Sequence, residues 1–210
     1  MAVRRRIDVR LAAAIGLIGV AGTLAAADDS MVTHHQHDMS GMVMVSTASY
    51  TVPDVQLLRE NGKRVSLRQE MDDGRPVVLN FIFTSCASIC PLMSQTFAQF
   101  ERKLGSDRHK VHLMSISIDP EEDTPQRLTE YARKFHAGPE WQHYTGTLAA
   151  SVAAQKAFDV YRGEKMDHTA VTLLRAAPGQ PWQRIDGFAT ADDLLKTYRE
   201  LTASELTAAK

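Results

Sequence analysis

From Tyr50 onward the apolar positions recur at spacings that switch between strand and helix periods. Residues 55–58 and 65–67 flank Asn61-Gly62, a pair that suits the left-handed backbone of a two-residue hairpin. Residues 77–83 (VVLNFIF) form an unbroken apolar run of strand length, the pattern of a strand covered on both faces. Pro91 fits the first position of a helix, and Met93, Phe97, Phe100 and Leu104 follow at helical spacing before Gly105. Residues 111–118 alternate as a strand, and Thr124-Pro125 opens a helix whose Leu128, Tyr131, Ala132 and Phe135 share a face until Gly138-Pro139. A helix over 148–158, a strand over 169–174, a turn at Pro178-Gly179 and a short strand over 182–185 complete the pattern. Thr190 and Asp193 resemble a capping box for a last helix through Leu194, Leu195, Tyr198 and Leu201. This order predicts an α/β chain with a thioredoxin-like sandwich: a central mixed sheet flanked by helices, with an N-terminal hairpin.

The amino end is different. Arg4, Arg5, Arg6 and Arg10 against Asp8 precede the apolar run 11–24 and the triplet Ala25, Ala26, Ala27. This is the charged, apolar, small-residue order of a bacterial secretory signal cut after Ala27. Residues 11–27 also sit at the lower edge of bilayer-spanning length, so an uncleaved membrane anchor is the other reading. Either places the folded domain in the bacterial periplasm, soluble or held at the inner membrane. Residues 28–49 show no sustained period and carry His34, His35, His37, Met39, Met42 and Met44. Imidazole with thioether is a donor set that favours copper over hard cations, while the bland alternative is a flexible polar tether. The expected organisation is therefore a signal or anchor at 1–27, a flexible His/Met-rich segment at 28–49 and one domain at 50–210.

The charge balance narrows the function. With 24 basic and 25 acidic residues, a net charge of -1 and 7% aromatic residues, the chain has no overall field or stacking surface for nucleic acid. At 210 residues it can bury a core without covalent staples, so its two cysteines are free for chemistry.

Cys86 and Cys90 lie just past the buried strand, with Cys90 close to a helix cap. Amide groups at a helix start stabilise thiolate, the form that attacks disulfides and binds soft metals. A spacing of four lets both sulfurs converge, either on a metal or into a disulfide, although a structural bridge over so short a loop would constrain the unfolded chain little. His168 is the best third donor. It begins the strand expected at 169–174, which in a thioredoxin-like fold starts opposite the cysteine loop. Two thiolates with one imidazole suit copper, the sulfurs holding the cuprous ion and the imidazole helping to accommodate the cupric one. His109, His112, His136 and His143 have no such placement.

The stretch Phe83-Thr84-Ser85-Cys86-Ala87-Ser88-Ile89-Cys90-Pro91, then Ser117-Ile118-Asp119-Pro120-Glu121-Glu122-Asp123-Thr124-Pro125, Trp141 with Thr145-Gly146, and Asp167-His168-Thr169 together resemble the Sco/SenC family. The resemblance implies a thioredoxin-like fold, copper on Cys86, Cys90 and His168, and Asp119 near the site. It also implies service in assembling the dinuclear copper site of cytochrome c oxidase subunit II. Two departures stand out: Ala87 replaces a proline common in the family, and the segment before His168 is shorter than in mitochondrial relatives.

Two functions compete. One is a metallochaperone that takes copper from a donor chaperone and passes it to the oxidase subunit or a related copper-site protein. The other is a thiol:disulfide oxidoreductase that reduces the target cysteines of that subunit. The CxxxC spacing, the absence of proline between Pro139 and Pro178, and His168 in the region where reductases carry one favour copper binding. A peroxiredoxin-like peroxidase lacks its TxxC signature, since only Ser85 separates Thr84 from Cys86.

Overall fold

The strand β4 (Val77–Ile82) is buried at every residue, as its continuous apolar run requires. It pairs in parallel with β5 (His112–Ser117) and antiparallel with β7 (Val171–Arg175), so both of its edges are satisfied. The computed structural model, which describes residues 43–208, builds an eight-stranded open mixed sheet around this strand. β1 is Met44–Ala48, β2 Gln56–Arg59, β3 Arg64–Ser66, β6 Trp141–Gly146 and β8 Trp182–Asp186. Their order across the sheet is β1-β8-β7-β4-β5-β6-β2-β3.

Helix α1 (Leu67–Met71) follows the hairpin, α2 (Ile89–Leu104) joins β4 to β5, and α3 (Pro125–Lys134) joins β5 to β6. Helix α4 (Leu148–Ala157) follows β6, and α5 (Ala191–Ala208) closes the chain. The two faces of β4 are read out by alternate residues. Asn80 Oδ1 accepts from Ser115 Oγ at 2.7 Å, and Ser115 accepts from Trp141 Nε1 at 2.9 Å, beneath Phe97 of α2. On that side Ser94 of α2 bonds Tyr131 of α3 at 2.8 Å, and Phe100 meets Tyr198 of α5 edge-on. On the opposite side Phe81 packs on Phe158, which caps α4 and also touches Tyr50 and Trp182.

Several caps follow the sequence closely. Thr124 accepts from the Arg127 amide at the start of α3, and Thr190 and Asp193 exchange backbone-to-side-chain bonds at 2.9 and 3.2 Å. Other expectations shift. The hairpin loop has three residues: the Gly62 amide donates to the Arg59 carbonyl, and Gly62 at φ 82° supplies the left-handed residue that follows such a turn. Ser66 caps α1, so Leu67 starts a helix where the sequence predicts a continuing strand. Helix α2 begins at Ile89, which makes Pro91 its third residue.

Two strands were not anticipated from the sequence. β6 reads WQHYTG, whose glutamine, histidine and threonine conceal a strand that is nevertheless largely buried between β5 and β2. β1 lies ahead of Tyr50, within the His/Met-rich segment expected to be flexible, and pairs with β8 from Met44–Asp186 to Ala48–Trp182. Met44 therefore belongs to an edge strand, its side chain facing solvent. Among the described residues no helix is long and apolar enough to cross a membrane, and the run at 11–27 lies outside them.

Phe158 joins three aromatic neighbours with no exposed surface, so Phe158→Ala should destabilise the domain by about 3–5 kcal/mol. The check is a fall in denaturant midpoint at unchanged slope.

Candidate metal centre

The cysteine loop leaves β4 through the buried Phe83, whose carbonyl accepts the Cys86 amide at 3.1 Å. The chain then enters α2 so that the Cys90 amide, in the first helical turn, points at the Cys86 sulfur with N–Sγ of 3.4 Å. Ser88 Oγ lies 3.9 Å from the same sulfur. Both thiols are free; Cys86 is half-buried and Cys90 has no exposed surface.

Burial alone would raise the Cys86 thiol, but hydrogen bonds from the Cys90 and Ser88 amides outweigh it and hold the thiol below its ordinary value. Cys90 goes the other way. Its burial pushes the thiol far up, with the neighbouring Cys86 and Asp123 adding to the rise. The helix-end stabilisation expected for Cys90 thus acts on Cys86, because a first-turn amide points back along the axis at the sulfur preceding the helix.

What holds this loop in place is Asp123, a residue not singled out from the sequence. Its fully buried carboxyl group accepts from Thr84 Oγ1 at 2.6 Å, from the Thr84 amide at 3.2 Å and from Ser117 Oγ at 2.6 Å. The only sequence signal is its position in the SIDPEEDTP stretch, two aspartates of which flank a tight turn. The Asp119 carbonyl closes that turn by accepting the amides of Glu122 and Asp123.

His168 lies just ahead of β7, which starts at Val171 rather than at Thr169. The side chain is buried, and its Nε2 lies 3.0 Å from the Phe81 carbonyl at the end of β4. A carbonyl can only accept, so Nε2 carries the proton. Burial, reinforced by Arg162 and opposed by the Phe81 bond, lowers the His168 pKa and keeps the ring neutral. Nδ1 is then a lone pair with no hydrogen bond among the described residues. That is the tautomer of a metal-ligating histidine oriented by a backbone carbonyl.

His168 lines a cavity of about 370 Å³ with Asp119, Glu121, Tyr161 and Lys165. Asp119 is close to the histidine side of the site, and its carboxylate holds Lys165 Nζ at 2.6 Å. The structure brings the two cysteines together and mounts His168 on the adjoining strand end. It does not gather three such donors into a ready metal cluster among the described residues. His34, His35, His37, Met39 and Met42 lie outside the described residues. Of the other histidines, His112 bonds the Glu70 carbonyl and Tyr144, and His143 is sealed in the core against Trp141.

The SCO1/SenC family pattern matches residues 43–203, which spans the whole sheet and both loops of the site. The chain belongs to the SCO1/SenC family. An SCO1 protein homolog of Bacillus subtilis (strain 168) is 32% identical over 107 residues, covering 50% of this chain and 54% of that protein. The chain thus spans about half the length of the curated relatives it matches. The crystal structure of Arabidopsis thaliana ScoI with copper bound is similar at a TM-score of 0.63 and 25% identity, over 73% of this chain and 98% of that one. Bradyrhizobium japonicum ScoI with copper bound gives a TM-score of 0.61 at 25% identity, over 72% and 99%.

The opposite shifts of the two thiols make a kinetic prediction. Thiolate fraction rises with pH through the lowered pKa, so Cys86 should alkylate with a midpoint below that of the same cysteine in the unfolded chain, while Cys90 stays unmodified in the folded protein. Mass mapping of a short iodoacetamide pulse across pH reads both; equal labelling of the two would contradict it.

Proposed function

We propose that this Sco/SenC protein is a periplasmic copper metallochaperone, binding copper through Cys86, Cys90 and His168. It delivers the metal to, or prepares, the dinuclear copper site of cytochrome c oxidase subunit II or a related copper-site protein. The observation that carries this reading is the donor set: two sulfurs meeting at a helix start, and a buried neutral imidazole whose Nε2–H is engaged by Phe81, leaving Nδ1 for a metal. Thiolates with imidazole match copper in both oxidation states better than any hard cation. The family resemblance and the copper-bound ScoI relatives support the same assignment. Copper is cargo here, so Cys86, Cys90 and His168 must bind it and also let it go.

A second reading is favoured by one feature, the inequality of the thiols. An accessible low-pKa Cys86 backed by a buried Cys90 is the arrangement of an attacking thiol and a resolving thiol. The same chain would then reduce the cysteines of its target before metal arrives. The two roles share a gate, because a Cys86–Cys90 disulfide has no thiolate left to hold copper.

Copper titration of the reduced protein under anaerobic conditions separates them. We expect one copper at the domain, with His168→Ala lowering cupric affinity by more than about 100-fold, beyond the 10- to 100-fold typical of an outer-shell partner, and sparing cuprous binding. Cys86→Ser or Cys90→Ser should lose both. Reduced protein that exchanges disulfides readily but binds no copper at the cysteines would transfer the assignment to the oxidoreductase.

For the His/Met-rich segment, removal of residues 31–42, which leaves β1 intact, should lower copper stoichiometry without changing the thermal midpoint. Unchanged stoichiometry would make the segment a tether.

A further inference from the structure

Residues 161–167, which lead into His168, are all solvent-exposed, between the buried Val160 and the buried His168. Tyr161 at its start has Lys156 Nζ 5.1 Å over its ring, but residues 163–167 have no apolar anchor; Met166 is 77% exposed. Its backbone bonds are local, the Asp167 amide donating to the Glu164 carbonyl and the His168 amide to the Lys165 carbonyl at 3.3 Å. Arg162 likewise turns back onto the Asp159 and Tyr161 carbonyls. Among the described residues, the side-chain link from 163–167 to the rest of the sheet end is Lys165.

Lys165 reaches two places. Its Nζ donates to Asp119 Oδ2 at 2.6 Å and lies 5.8 Å above the centre of the Phe83 ring. Phe83 carries the carbonyl that fixes Cys86, and the turn that begins at Asp119 carries Asp123, which fixes Thr84. One short turn, 119–123, therefore grips the cysteine loop through Asp123 and the histidine loop through Asp119. The second grip lies one turn from the ligand, since the carbonyl of Lys165 itself accepts a hydrogen bond from the His168 amide.

We propose that Lys165 is a positioning residue for copper, strapping the His168 loop to Asp119 and Phe83 so that the imidazole is presented to Cys86 and Cys90. The proposal rests on the copper reading above and assigns a role to a residue outside the three donors. Because His168 is required for cupric ion and the thiolates alone suffice for cuprous ion, the strap governs the first and not the second. A residue that merely stabilised the fold would affect both.

The test uses the full chain with cupric ion, followed by the thiolate-to-copper charge-transfer band, which the His/Met segment cannot produce because the chain's two cysteines are Cys86 and Cys90. Lys165→Met should weaken cupric binding about 10-fold and shift that band, as loss of an outer-shell partner does. Cuprous affinity, measured against a chromophoric chelator, and the thermal midpoint should not change. Lys165→Arg should restore the cupric value, Asp119→Asn should match Lys165→Met, and the double variant should be no weaker than either single one. Cupric affinity in Lys165→Met equal to or tighter than wild type, an equal loss of cuprous binding, or additive losses with Asp119→Asn would overturn the strap while leaving the copper site standing. A wild-type protein without the charge-transfer band would sink the copper reading, and the strap with it.

Discussion

A carboxyl group with no exposed surface is stable only where donors surround it, and Asp123 obtains its donors from the ends of two neighbouring parallel strands. Thr84 follows β4 and Ser117 closes β5, so one side chain pins both strand ends to the turn that leads into α3. The cysteine loop cannot drift from this position without leaving buried oxygens unpaired. Loops at the carboxyl ends of parallel strands are where α/β sheets collect ligands, and here a buried polar contact makes one of them rigid enough to aim two sulfurs. Everything downstream, from the helix amide on Cys86 to the Phe83 ring under Lys165, takes its geometry from that contact.

The thiols are consequently unequal. The β4–α2 junction buries Cys90 inside the first turn and leaves Cys86 just outside it, in line with the free amides of the helix start. Burial disfavours one thiolate while backbone dipoles favour the other. Soft-metal capture and thiol exchange both begin at a thiolate, which is why one geometry supports both readings of function. His168 is what tells the two readings apart, since an imidazole held neutral and oriented by the Phe81 carbonyl is suited to a metal and has no part in disulfide exchange.

Elements with strong periodicity were legible in the sequence: β4 from its unbroken apolar run, α2 from Met93, Phe97, Phe100 and Leu104, and α5 from its capping box. β6 was not, because Gln142, His143 and Thr145 break the apolar signal, and only burial between two strands explains them. β1 was hidden for a different reason. Its residues are mostly exposed, so pairing with β8 rather than a hydrophobic face makes it a strand. Cys86 and Cys90 were visible as a pair by spacing, and His168 by its expected place before a strand. Asp123 and Lys165 were not, since neither residue type at those positions signals what it will touch.

The sequence by itself determined the α/β order, the cysteine pair after a buried strand and the likeness to Sco/SenC proteins, because these depend on local periodicity and short fixed spacings. Only the tertiary structure decided which thiol is the more acidic one, which nitrogen of His168 is engaged by the backbone, and how the two loops are tied to one turn. The ties join residues tens of positions apart, as with Thr84 and Asp123 or Lys165 and Asp119, and all of these properties come from burial and hydrogen-bond direction, neither of which is a property of a residue until the sheet has formed.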